Sequence, residues 1–158
     1  MTRYKIKCKF SVQLSYVIEE IAIGLENHFS SLCSVVTDAE PVNIHWDDRN
    51  QHVKEIRILN LRDKQLSEYL GSYNFHFVWL ALAVLPREKI ENIAEYLYSE
   101  GNNVFEIKEN RMKLDSSLVE VYVNDDQELI VQTIDQEFGN RIPSLVISFI
   151  EIKNESLS

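Results

Sequence analysis

The chain has 158 residues, 45% hydrophobic and 26% charged, an ordinary globular balance, and carries a formal net charge of −9 at pH 7. That length suits a single domain, 1–158, whose core buries roughly two-thirds of the surface the unfolded chain exposes, and four Gly and three Pro argue against long linkers. The negative charge argues against nucleic acid and anionic membrane as partners, because phosphates repel it, and favours a basic partner.

Residues 3–10 alternate: Tyr4, Ile6, Cys8 and Phe10 point one way, Arg3, Lys5, Lys7 and Lys9 the other. Period two predicts a half-buried strand, and its basic face reads as a lysine-guarded sheet edge in preference to a contact for a small anion or nucleic acid. Leu14, Val17, Ile18, Ile21, Leu25, Phe29 and Leu32 then recur at spacings of three and four, predicting an amphipathic helix over 14–32 that Gly24 weakens. Residues 38–41 read as a turn, 42–46 as a short strand, 47–50 as a polar turn and 53–61 as a returning strand. Asp63 is placed to cap a short helix through Leu70, stopped by Gly71.

Residues 75–85 carry no formal charge and read as a central strand buried on both faces. Pro86 suits a first helical position, and Ile90, Ile93, Ala94 and Leu97 make the core stripe of a second helix over 87–99, with Gly101 as the stop. From Val104 onward only strands are predicted: 104–109, 111–114, 117–124, 128–135 and 145–153. Short turns make these an antiparallel meander. The expected class is α+β, a mostly antiparallel sheet with a C-terminal β-meander packed against two main helices.

Residues 114–140 hold seven acids and no Lys or Arg over 27 positions, although Lys113 and Arg141 flank them. A three-residue loop at 125–127 pairs Val123 with Leu129, Val121 with Val131 and Val119 with Thr133, collecting β-branched residues on one buried face. The other face then carries Leu118, Glu120, Tyr122, Ile130, Gln132 and Ile134. Asp125, Asp126, Glu128, Asp135 and Glu137 ring it. Glu120, Tyr122, Asp125, Asp126, Glu128, Asp135 and Glu137 are therefore the expected contacts for a basic protein; alternatively, a helix covers this face and the acids solvate its rim.

A search for chemistry returns little. No phosphate loop, dinucleotide fingerprint, nucleophile elbow or HExxH motif is present, and no cofactor is expected. His45, Asp47 and His52 are the only cluster of potential metal ligands and define an alternative reading as a small metal-dependent enzyme. His76 and His28 read as structural. Cys8 and Cys33 lack a CxxC partner, and whether they approach one another is left open. A third reading uses Leu118, Tyr122, Ile130 and Ile134 as a self-interface; the oligomeric state is open. The first ten residues have no apolar signal core, and 75–85 is about half a membrane span, so a reduced cytoplasm is expected.

A small, acidic α+β domain without catalytic signatures resembles the immunity proteins of bacterial polymorphic toxin systems, including contact-dependent growth inhibition. The resemblance is one of type and covers the whole chain; no motif carries residue roles across. It implies a cognate toxin domain as partner, in many such systems a basic nuclease. Opposite charge on inhibitor and toxin speeds their encounter.

Overall fold

A computed structural model of the chain describes residues 1–8, 11–29, 33–41, 55–90, 112, 114, 116–125, 128–147 and 151–156. They form an α+β fold. The strands are β1 (Thr2–Lys7), β2 (Cys33–Pro41), β3 (Glu55–Asn60), β4 (Phe77–Pro86), β5 (Val119–Asp125), β6 (Glu128–Thr133) and β7 (Glu151–Asn154). They make one sheet in the order β3-β2-β4-β5-β6-β1-β7, every neighbouring pair antiparallel. The helices are α1 (Ser11–Phe29), α2 (Gln65–Ser72) and α3 (Gln136–Leu145).

The three helices share one core with one face of the sheet. Leu14, Val17, Ile18, Ile21 and Leu25 of α1 meet Leu66 and Leu70 of α2, Phe138 and Ile142 of α3, and the inward residues of β1, β4, β5 and β6. Each fully buried Leu or Ile there contributes about 1.5–3 kcal/mol. The hairpin register is the expected one: Val123 faces Leu129, Val121 faces Val131 and Val119 faces Thr133. The charge-free strand is β4, and Leu80 to Leu85 are buried on both faces.

Several expectations change. Residues 38–41 belong to β2 rather than a turn, because Val35, Val36 and Thr37 favour a strand that β3 and β4 extend on either side. β1 alternates as expected but is no edge: it lies between β6 and β7. The first residue of α2 is Gln65, so Asp63 is not its cap. After Pro86 the chain makes a 3-10 turn, Arg87–Lys89; the expected helix beyond 90, and the strands at 42–46 and 104–109, lie outside the described residues. The C-terminal part is not all strand. β4, β5 and β6 run as a meander, α3 then crosses the sheet, and only residues 151–154 return as a strand, against β1.

Two glycines permit the helix packing. A Cβ on Gly24 would collide with the Leu145 side chain, so α1 and α3 approach through a residue that otherwise only weakens α1. A Cβ on Gly139 would lie 3.1 Å from Thr2, where α3 crosses β1.

Candidate functional site

The acids of the base-free stretch do not form one surface. Glu120 is fully buried on the sheet face away from the helices, beneath Ala81, Ala83, Leu85, Leu114, Tyr122 and Ile130. Its carboxylate accepts from the Leu114 backbone N–H at 3.0 Å and from Gln132 Nε2 at 2.9 Å. Burial, reinforced by the Glu120 charge, pushes the Tyr122 phenol far above the ordinary tyrosine range. Glu120 and Tyr122 are thus removed from any exposed docking face. The proposed self-interface loses its centre for the same reason: Tyr122 and Ile130 are buried and Leu118 is half-buried, leaving Ile134 exposed.

The remaining acids serve three local purposes. Glu128 is buried and ion-paired with Lys5 at 3.3 Å. Asp135 is the N-cap of α3, its Oδ1 accepting from Phe138 N–H at 2.8 Å and lying 3.4 Å from His28 Nε2. Arg141 Nη1 lies 3.2 Å from His28 Nδ1, so the imidazole bridges α1 and the start of α3. Glu137 is exposed and accepts from Arg141 Nη2 at 2.8 Å, one helical turn away. Asp125 closes β5 opposite Glu128, and Asp126 lies outside the described residues.

A different acidic feature lies between α1 and α2. A cleft of about 570 Å³ is lined by Glu19, Ile23 and Glu26 of α1 and by Ser67 and Glu68 of α2, with Lys64 and Phe75 also on its wall. The volume is in the range of ligand sites. Ile23 is 45% exposed, and Tyr16, two turns earlier on the same helix, is 53% exposed.

α2 has an unusual start that shapes this cleft. Its N-cap residue, Lys64, has no acceptor side chain and is left-handed, φ 56°. Gln65 Oε1 instead accepts from Asn60 N–H at 2.8 Å, and Glu26 reaches across from α1 to accept from Ser67 N–H at 3.0 Å. A carboxylate on another helix thereby supplies the cap, where the helix dipole also favours negative charge. Glu26 is only 5% exposed, and its second oxygen, Oε2, is buried with no hydrogen-bond partner among the described residues. Beyond the other end of α2, Asn74 (φ 52°) and Phe75 (φ 58°) are also left-handed, a conformation that disfavours a bulky side chain. It is held by Phe75 N–H donating to Leu70 O at 3.0 Å and Asn74 N–H to Gly71 O at 2.9 Å. Such strain, over-determined by its surroundings, concentrates at functional positions.

Nothing in the sequence pointed to this cleft. Glu26 sits at a polar position of α1, and its partner is 41 residues away. The left-handed Lys64 carries no sequence mark, since Gly, Asn and Asp are the usual signals.

His45, Asp47 and His52 lie outside the described residues. Among the described residues no group of three or more His, Cys, Asp or Glu is gathered to hold a metal. Cys8 is buried against the α1 core, and burial, with the Glu20 charge adding, raises its thiol from 9.0 to about 11, the opposite of an activated nucleophile. Among the described residues no helix is long and apolar enough to cross a membrane. Compared with known proteins, the chain matches no family model, no curated protein and no solved structure.

Proposed function

We propose that this chain is a protein-binding inhibitor that neutralises a basic toxin domain in the cytoplasm, an immunity protein of the polymorphic-toxin kind. The observation that supports this reading is the formal net charge of −9, part of which the described residues leave on the surface. Buried or capping acids account for Glu26, Glu120, Glu128 and Asp135. Glu68, Glu137 and Glu151 remain exposed, and Glu19 and Glu68 stand on the wall of a cleft beside an exposed Ile23. Carboxylates around exposed apolar groups suit a cationic protein surface, which gains in encounter rate and specificity from the opposite charge.

The test is co-expression with the genes encoded immediately upstream. A neighbouring product that is toxic alone and harmless beside this chain supports the reading; if no neighbour behaves so, it falls. With such a partner in hand, the variant to measure is Asp125→Lys combined with Asp126→Lys, its folding checked by circular dichroism. It should slow association at low salt, and the wild-type on-rate should fall as salt rises. An unchanged on-rate would remove the hairpin tip from the interface.

A further inference from the structure

We infer that the α1–α2 cleft receives a primary ammonium group, the lysine side chain of the basic partner proposed above, with Glu26 Oε2 as its buried acceptor. The inference deepens that reading and rests on it for the identity of the partner. The geometry of Glu26 is its starting point. One carboxylate oxygen is committed to the Ser67 N–H at 3.0 Å, and the other is buried without a partner among the described residues, in a residue 5% exposed on the cleft wall. A buried carboxylate oxygen without a donor is costly to keep, and a cation donating to it removes that cost.

The chemistry of the walls narrows the donor. A guanidinium fork binds a carboxylate best through both oxygens at once, and one is already taken. An ammonium is a point charge that needs a single acceptor and rides on a four-carbon stem. Ile23 and Phe75 offer apolar wall for such a stem, and Glu19 and Glu68 add negative charge around the mouth. Lys64 is the one base on the wall among the described residues and opposes an incoming cation. Among the described residues no Lys or Arg pairs with Glu26.

The probe is the peptide acetyl-Gly-Lys-Gly-amide at low salt, followed by amide chemical shifts of the full chain. Saturable shifts at Ser67 and Gly71 are expected, with little response to the norleucine analogue, which keeps the stem and lacks the charge. Glu26→Gln retains an oxygen for the Ser67 N–H and should weaken the peptide by about tenfold, as loss of a charge-assisted bond does. Circular dichroism of Glu26→Gln should match wild type, so that the lost binding reports the missing charge and not a displaced α2. Lys64→Asn suits the left-handed backbone, removes the opposing charge, and should tighten binding. Equal binding by the norleucine peptide, or a Glu26→Gln variant that binds like wild type, overturns the inference, as does the absence of saturable shifts. The two proposals fail separately. A peptide held through Glu26 with no toxic neighbour keeps the ammonium site and removes the toxin; a rescued toxin with no peptide response does the reverse.

Discussion

The two faces of the sheet bury their residues by different means. The helical face is a continuous apolar core in which Phe138, Ile21, Leu25 and Leu82 are almost fully enclosed, and its polar contacts sit at the rim as caps and bridges. The opposite face carries a smaller apolar cluster around a fully buried carboxylate, Glu120, whose oxygens are held by Leu114 N–H and Gln132. The first face depends on volume and tolerates chemistry only at its edges. The second depends on satisfied hydrogen bonds, so a lost partner matters more there than a lost methylene.

The largest test of that contrast is Phe138→Ala. The ring is fully buried and lies 5.4 Å from Phe29 and from His28, centroid to centroid. Its removal should cost about 3–5 kcal/mol in urea unfolding, and a loss under 1 kcal/mol would mean the helical face repacks freely. Next comes Glu120→Ala, expected to cost about 2–3 kcal/mol because Leu114 N–H and the Gln132 amide lose their acceptor. The double change Glu120→Leu with Gln132→Leu should cost less than that single one, since two polar partners leave together; strict additivity would deny that the second face is a hydrogen-bonded unit. Asp135→Ala removes the α3 cap at the rim of the first face and should cost about 1 kcal/mol, checked by thermal melting.

The smallest effect is a slope with pH. The folded Cys8 thiol titrates near 11, against 9.0 ordinarily, so between those values the unfolded chain has released more protons than the folded one. Stability from this group is complete below pH 9 and is lost as pH rises toward 11. Cys8→Val should show a shallower decline in melting temperature over that window, and parallel curves would place the thiol in contact with solvent.

The sequence was most legible where pattern and burial coincide. The alternation of β1, the stripe of α1, the doubly buried β4 and the β5–β6 register all follow from apolar spacing, and the structure has each of them. α3 was missed because Gly139 and Pro143 stand inside a ten-residue helix and read as a turn. Its signals were present: Asp135 before the first turn, Glu137 within it, and Phe138 four residues before Ile142. The site was least legible, since charges pair across the fold. The missing lysine of the acidic hairpin is Lys5, supplied to Glu128 by the first strand, and Arg141 curls back to Glu137 once a helix forms. Sequence distance concealed both pairs, and with them the fact that Glu128 and Glu137 are neutralised within the fold.

The place of β1 bears on how the chain assembles. Its partners are β6 on one side and β7 on the other, so Lys7 pairs with Glu128 and Glu151, and the carbonyl of Arg3 accepts from the Glu155 N–H at 2.8 Å. On the ribosome β1 finds neither neighbour until roughly 120 further residues have followed it, a wait of about 6–24 s at about 5–20 residues per second. The unpaired edges of a strand with a buried apolar face are exposed throughout that interval. Arg3 and Lys7, which later face Gln132 and Glu128, are then charges that discourage pairing with another nascent chain, so the same basic residues act as a temporary guard during synthesis and as sheet contacts afterward.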